Sequence, residues 1–390
     1  MKLGVFFFGN RMELTGAGAV VRSFANNDDV FASNGVDQVR IYDLTPKKEQ
    51  SKSDNKKNSF VKQVIAKGLS FTAWGANLLI EKLYLRKGIQ VVNNYFNTSK
   101  LDEDALIFHE IFTCLAYVER SEKEKRCLLP FTLVLHTNGE IFKMLRTYYP
   151  AFAHSKYESF LEKRILDAFA KAKKIIFVSQ LSCNHFCDIY PMYKDKAIVV
   201  YNGISDTGIN YEPSFDGKVR MVTVGTVNAR KNQRLLVDVL AKLNRNDIFL
   251  TVVGGGNKLE ECKQSAINLG VDKYIKFLGP RKDVDAILKD ANLYVMSSFD
   301  EGLPISAIEA LRAKLPLILT DVGGNRELID GNGYLVKPEL DSLATSLSNF
   351  ADNVTMQEEM SRKSYQIFQK RFMVETMISK YCSIFNEIIQ

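Results

Sequence analysis

The sequence predicts an α/β protein built from two doubly wound halves, each a parallel sheet covered by helices. Three observations carry that expectation. Short apolar runs alternate with longer amphipathic stretches along most of the chain, the pattern of βαβ units. The runs form two series, interrupted once at Asn202-Gly203-Ile204-Ser205-Asp206-Thr207-Gly208, with Pro213 and Gly217 close behind. The 390 residues also exceed what one core supports, since single cores stop growing at roughly 250–300 residues. The expected division is residues 1–208, joined by a returning C-terminal helix at about 366–390, and residues 209–365.

In chain order, the first series of predicted strands lies near Leu3–Phe8, Gln38–Tyr42, Ile89–Asn93, Ala105–Phe108, Phe131–Leu135, Lys174–Val178 and Ala197–Tyr201. The apolar run after Met1 is too short for an export signal and reads as the first buried strand. Between Thr45 and Lys62, six lysines (Lys47, Lys48, Lys52, Lys56, Lys57, Lys62) sit among polar residues without apolar periodicity, which reads as a loop. The stretch Phe60–Trp74 and then Leu78–Lys87 is rich in large apolar residues and lysines, and holds the single Trp. It reads either as a core helix or as a basic amphipathic helix on an anionic membrane surface. The second series runs through Val219–Val224, Phe249–Val253, Tyr274–Leu278, Leu293–Met296, Leu317–Thr320 and Gly333–Val336. Near the end, Phe372, Met377, Tyr381 and Phe385 fall roughly on one helical face.

Hydrophobic content of 46% with 25% charged residues is that of a globular protein with a packed core. The formal charge of +7 suggests an acidic partner: a nucleotide, an anionic lipid head group or nucleic acid. Six scattered cysteines make no disulfide framework and suit a cytoplasmic protein with reduced thiols. No run of 18 apolar residues lacks a charge, so no transmembrane helix is expected.

The strongest chemical signal is Ser297-Ser298-Phe299-Asp300-Glu301-Gly302-Leu303-Pro304-Ile305-Ser306-Ala307-Ile308-Glu309. A buried strand ends, the chain turns at Gly302 and Pro304, and a helix begins. Glu301 lies in the turn and Glu309 well into the helix, where a carboxylate needs a hydroxyl or cationic partner. Two carboxylates staggered along a helix entrance suit the hydroxyls of two neighbouring rings. The helix N-terminus between them suits a diphosphate. The second signal is Val224-Gly225-Thr226-Val227-Asn228-Ala229-Arg230-Lys231-Asn232-Gln233, a strand end followed by a helix with Leu235, Leu236, Val239 and Leu240 on one face. Arg230 and Lys231 at its entrance can neutralise a departing diphosphate.

These segments resemble the retaining glycosyltransferases of family four, of the bacterial polysaccharide-biosynthesis type, which have the GT-B fold: two Rossmann-like domains facing across a cleft. The resemblance implies that Glu301 binds hydroxyls of the transferred sugar, that Glu309 binds the nucleotide ribose and that Lys231 binds the phosphates. It extends to Val252-Val253-Gly254-Gly255-Gly256, Phe277-Leu278-Gly279-Pro280-Arg281 and Asp321-Val322-Gly323-Gly324-Asn325-Arg326-Glu327. Gly225, Gly256 and the Gly302-Leu303-Pro304 turn join the donor-binding set on the same ground. Two positions depart from the pattern. Thr226 stands where the family has Arg, with Arg230 the nearest substitute, and Lys314 stands where the family usually has Gly. In the first domain the resemblance implies that a Gly-rich loop holding Gly16 and Gly18 approaches donor phosphate and acceptor. It also implies that His136, at the end of its strand, lies near the transferred sugar. His109-Glu110 has a similar placement and a weaker claim.

Asp283-Val284-Asp285 spells a metal-binding pair but opens a helix, where acids are common for dipole reasons. Cys183, His185 and Cys187 lack a fourth zinc ligand. Basic residues without interleaved aromatics argue against nucleic acid. The expectation is therefore a hexosyltransferase, retaining and metal-independent, without a cofactor and with a nucleotide-sugar donor, UDP first among the carriers. Its acceptor is expected to be a carbohydrate or lipid-linked hydroxyl in surface polysaccharide or glycolipid synthesis; the protein is expected in the cytoplasm, peripheral on the inner membrane face where the acceptor is lipid-linked, with a soluble acceptor left open. Residues 1–208 are then the acceptor side and 209–365 the nucleotide-sugar side. Alternatives are a nucleotide-sugar epimerase and a non-catalytic partner subunit of the same fold.

Overall fold

The computed structural model describes residues 1–13, 15–46, 68–98 and 100–389. Within them the chain divides into two compact units: residues 1–178, 182–200 and 378–390, and residues 179–181 with 201–377. The sequence reading had set the boundary at 208 and the return at about 366. The Lys47–Lys62 segment and the start of the Phe60–Trp74 stretch lie outside the described residues.

Unit one holds a six-stranded parallel sheet of β1 (Lys2–Phe6), β2 (Gln38–Tyr42), β3 (Ala105–Phe108), β4 (Phe131–Leu135), β5 (Lys174–Phe177) and β6 (Ala197–Val199). Its order is β2-β1-β3-β4-β5-β6. The runs are apolar because the inner strands are covered on both faces: every residue of β3 and β4 is buried. Phe6, Phe108 and Tyr117 meet ring to ring, Phe6–Phe108 at 4.6 Å, above the centre of this sheet. Unit two holds β7 (Val219–Val224), β8 (Ile248–Val253), β9 (Ile275–Gly279), β10 (Leu293–Met296), β11 (Leu317–Thr320) and β12 (Gly333–Val336). They order as β12-β11-β10-β7-β8-β9, again all parallel. The strand order reverses between β7 and β10 here and between β1 and β3 in unit one. At such switch points the connections leave to opposite sides and a crevice opens beyond the strand ends.

One predicted strand is corrected. Ile89–Asn93 belongs to the helix Arg86–Phe96. Its buried residues Gly88, Val91, Val92 and Tyr95 recur at i, i+3, i+4 and i+7, a helical stripe that outweighs the local β-branched cluster. Gly88 lets this helix approach the helix Ile111–Lys123, since a Cβ there would lie 2.5 Å from the Phe112 carbonyl oxygen. Smaller shifts trim β1 at Phe6, β5 at Phe177 and β6 at Val199. Lys314 does adopt a left-handed conformation (φ +59°), as its family counterpart glycine would. It is half-buried, with its ammonium 5.5 Å from the Tyr365 ring centre.

Candidate active site

The two strongest sequence signals meet at the switch point of unit two. After β7 the chain runs through Gly225 to Lys231 and enters the helix Gln233–Leu243. After β10 it runs through Ser297 to Glu301 and enters the helix Ile305–Arg312. Lys231 Nζ lies 2.7 Å from Glu301 Oε1, and Arg230 reaches Glu301 Oε2 at 3.2 Å. The two turns are tied by backbone as well as charge. Phe299 N donates to Arg230 O at 2.8 Å, and Ser297 Oγ donates to the Lys231 and Asn232 carbonyls at 3.1 and 2.8 Å.

Glu301 is buried, with 6% of its side chain exposed. Burial alone would raise its pKa, but Lys231 and then Arg230 outweigh it and hold the carboxyl below its ordinary value. The two turns thus hold an ionised carboxylate against the largely covered ammonium of Lys231, with the exposed guanidinium of Arg230 at its rim. Such a pair is costly to desolvate and is more readily explained by a ligand that exchanges with it than by stability.

Glycines make the crevice possible. A Cβ on Gly323 (φ +51°) would sit 1.7 Å from the Glu301 carbonyl oxygen, and Gly324 N donates to Gly302 O at 2.7 Å. The turn after β11 is therefore pressed against the turn that carries Glu301. Gly256 closes against Val227 in the same way, a Cβ there lying 2.1 Å from the Val227 carbonyl oxygen. Beside them the Lys231 chain passes over Gly225, its Cε 3.5 Å from where a Cβ would stand. Leu303 is buried and Pro304 forms the N-cap of the Ile305–Arg312 helix, which has no side-chain cap. Its first amides face the turn. Glu309 sits half-buried one turn in. Thr226 is exposed, and Arg230 supplies the second cation that its position lacks.

In unit one, His136 follows β4 and is joined to His109, which follows β3: His109 Nδ1 and His136 Nε2 are 3.1 Å apart. Burial pushes His136 down to about 4 and His109 well below its usual value, with His136 adding to the latter effect. Both imidazoles are neutral at pH 7. Glu110 caps the Ile111–Lys123 helix with both oxygens, on Phe112 N at 2.6 Å and Thr113 N at 2.8 Å. Gly16 and Gly18 do not form a loop. They occupy the first turn of the helix Gly16–Ala25, capped by Thr15 Oγ, which accepts from Gly18 N at 3.1 Å. A single strong N-cap starts the helix three residues earlier than glycine content suggests.

Sequence reasoning missed Ser297 and Gly323 as the parts that lock the two turns together. Their signal was a small residue at each strand end, visible but without a stated role. Asp283 and Asp285 are taken up by Arg281 and Arg312, and His185 Nδ1 contacts the Asn138 carbonyl at 3.0 Å.

The family described as Glycosyl transferases group 1 matches residues 209–367. The O-antigen biosynthesis glycosyltransferase WbnH of Escherichia coli is 33% identical over 167 residues, 42% of this chain and 46% of that protein. The UDP-Gal:alpha-D-GlcNAc-diphosphoundecaprenol alpha-1,3-galactosyltransferase of Escherichia coli is 26% identical over 138 residues, 33% of this chain and 36% of that one. The chain thus spans about half the length, or less, of these curated relatives. Among solved structures, Anabaena Alr3699/HepE in complex with UDP and glucose matches with a TM-score of 0.71 at 17% identity, covering 99% of both chains. That likeness establishes the fold along the whole chain: two Rossmann-like domains of GT-B type. Residues 209–367, the region that holds the Lys231–Glu301 pair, are thus similar to the group 1 glycosyl transferases.

Proposed function

We propose that the protein moves a hexosyl group from a nucleoside diphosphate, UDP first among the candidates, to a hydroxyl of a carbohydrate or lipid-linked acceptor. The observation that carries the reading is the Lys231–Glu301 pair at the switch point of unit two. Lys231 and Glu301 carry the charges that a diphosphate and sugar hydroxyls call for, and each satisfies the other. A bound donor places its diphosphate on Lys231 and Arg230 and on the amides that open the Ile305–Arg312 helix. Glu301 is then released to accept hydrogen bonds from sugar hydroxyls, and Glu309 to accept from the ribose. Gly225, Gly256 and Gly302 leave backbone bare where the donor approaches.

In the transfer, the bond from the anomeric carbon to the β-phosphate oxygen breaks and a bond to the acceptor oxygen forms on the same face. The acceptor proton passes to the leaving diphosphate, so configuration is retained. The charge that develops on the diphosphate is met by Lys231 and Arg230, which is why the reading needs no metal. His136, neutral at pH 7, is assigned as a hydrogen-bonding partner of the transferred sugar, and the side-chain-free backbone at Gly16 and Gly18 as the surface that donor or acceptor approaches. The names of the Escherichia coli relatives, O-antigen biosynthesis and transfer to a diphosphoundecaprenol-linked sugar, support a lipid-linked acceptor in surface polysaccharide synthesis.

The test is turnover of nucleotide sugars by the purified chain and by Glu301→Ala and Lys231→Ala. Each variant is expected to lose about 10²–10³-fold in kcat, the size of a removed transition-state charge contact, with the far-UV spectrum unchanged. Near-parental rates in both would overturn the assignment. Conversion of the donor with no acceptor present would point to an epimerase instead.

A further inference from the structure

From Phe71 to Ile80 the surface of unit one carries ten residues without a single charge. The helix Ala73–Ile80 has a reason for apolar residues on one side: Gly75, Ala76, Leu79 and Ile80 are buried. Its opposite side is apolar too. Trp74 is 71% exposed and Leu78 40%, four apart on one helix face, and Phe71, in the turn just before the Thr72 cap, is 64% exposed. A short helix apolar on both sides is the pattern of a segment with a second, non-aqueous neighbour. The chain then passes through a π-helical turn, Glu81–Leu85, where Leu83 is 38% exposed, into the helix Arg86–Phe96. The exposed charges that follow the bare face directly are Glu81, Lys82, Arg86 and Lys87, three cations to one anion. Indole and phenyl rings next to a cationic collar are complementary to an anionic lipid surface: rings at head-group depth, ammonium and guanidinium groups on lipid phosphates.

We propose that the Phe71–Trp74–Leu78 face, with the cations of residues 82–87, docks unit one on an anionic bilayer surface. The proposal deepens the reading of a lipid-linked acceptor: docking brings the enzyme to the plane where such an acceptor resides. It needs no membrane-crossing segment, and among the described residues no helix is long and apolar enough to cross one.

The molecule carries its own probe, because Trp74 is the only tryptophan in the chain. Vesicles of phosphatidylethanolamine with phosphatidylglycerol are expected to shift its emission to the blue and to sediment the 390-residue chain. Vesicles of phosphatidylcholine are expected to do so about ten-fold less, and rising salt to release the protein. Phe71→Ser with Leu78→Ser is expected to weaken partitioning by about ten-fold or more. Lys82→Gln, Arg86→Gln and Lys87→Gln are each expected to weaken it roughly five-fold, the worth of one cation at such a surface. Unchanged emission and no sedimentation with the anionic vesicles would overturn the proposal. So would a blue shift that follows protein concentration without lipid, with a doubled mass by light scattering, which would assign the face to a second copy of the chain. UDP binding in lipid-free buffer is measured on the same samples by calorimetry. A chain that binds UDP but ignores vesicles refutes the docking alone, and one that binds vesicles but not UDP refutes the nucleotide-sugar reading alone.

Discussion

At the scale of single residues, the site rests on the balance at Glu301. Its pKa is depressed in the folded chain, because Lys231 and Arg230 outweigh the upward push of burial. A depressed carboxyl contributes stability that is present above its unfolded value, ordinarily 4.5, and is lost as the pH falls through the lower folded value. In Lys231→Ala the largest opposing charge is gone and burial is opposed only by Arg230 and a hydrogen bond from Ser298, so the carboxyl moves up. Its charged form is then the strained one at neutral pH. The variant is expected to be about 3 kcal/mol less stable than its parent at pH 7, as for a buried pair that loses one partner, and the deficit to shrink as the pH is lowered. Urea unfolding of both proteins at pH 7 and pH 5 reads this directly. A deficit that is the same at both pH values would place the loss in packing of the lysine stem and not in charge. Saturation with UDP is expected to stabilise the parent more than the variant, since the same ammonium is assigned to the diphosphate.

At the scale of elements, the sequence was most informative where a buried parallel strand forces a continuous apolar run. β2, β3, β4, β7, β10, β11 and β12 stand at the bounds read from the sequence. It misled where composition and periodicity disagreed. Ile89–Asn93 looked extended because it holds Val91 and Val92, yet its stripe with Gly88 and Tyr95 is helical and is buried against a neighbouring helix. The two glycines after Thr15 suggested a loop, although a hydroxyl cap is enough to start a helix through them. The Asp283–Asp285 pair, set aside as a metal site on sequence grounds, is held by Arg281, two positions from Asp283, and by Arg312, 27 positions beyond Asp285, a partner no local reading supplies. The contact that locks the site was also invisible as a contact, since Gly323 and Glu301 lie 22 positions apart. The turn after β11 presses Gly323 onto the Glu301 carbonyl. Gly323→Ala is therefore expected to displace the Glu301 turn and reduce kcat by at least ten-fold. Its stability should fall by about 2 kcal/mol, from overlap combined with a left-handed conformation that alanine resists. Circular dichroism and thermal unfolding beside the rate measurement check it. A variant with parental kcat would show that the turn accommodates a methyl group without moving the carboxylate.

At the scale of the whole molecule, the chain leaves unit one after Val200, completes unit two, and returns to unit one from Ile378 to its end. The sequence made the return visible through the spacing of Met377, Tyr381 and Phe385, all of them buried. What it left open was where the helix Val374–Ile389 docks, because that depends on the surface that receives it. Part of that surface is Phe24, whose ring meets Tyr381 edge to face at 5.2 Å, while Phe24 also packs on Phe31 and on the imidazole of His109. The C-terminal helix thus bears on the aromatic group that packs against His109 of the His109–His136 pair. Tyr381 is 1% exposed, and burial raises its phenol well above the ordinary value, so the ring is neutral and acts through packing. Tyr381→Ala is expected to cost about 3–5 kcal/mol, the range for a large aromatic deleted from a core. Tyr381→Phe keeps the edge-to-face contact and is expected to cost less than about 1.5 kcal/mol. If Phe24 passes the loss on to His109, the Ala variant also lowers kcat at temperatures where it is still folded, and the Phe variant does not. Measuring both variants by urea unfolding and by nucleotide-sugar turnover separates the two effects. A folded Tyr381→Ala protein with parental turnover would confine the C-terminal helix to a stabilising role.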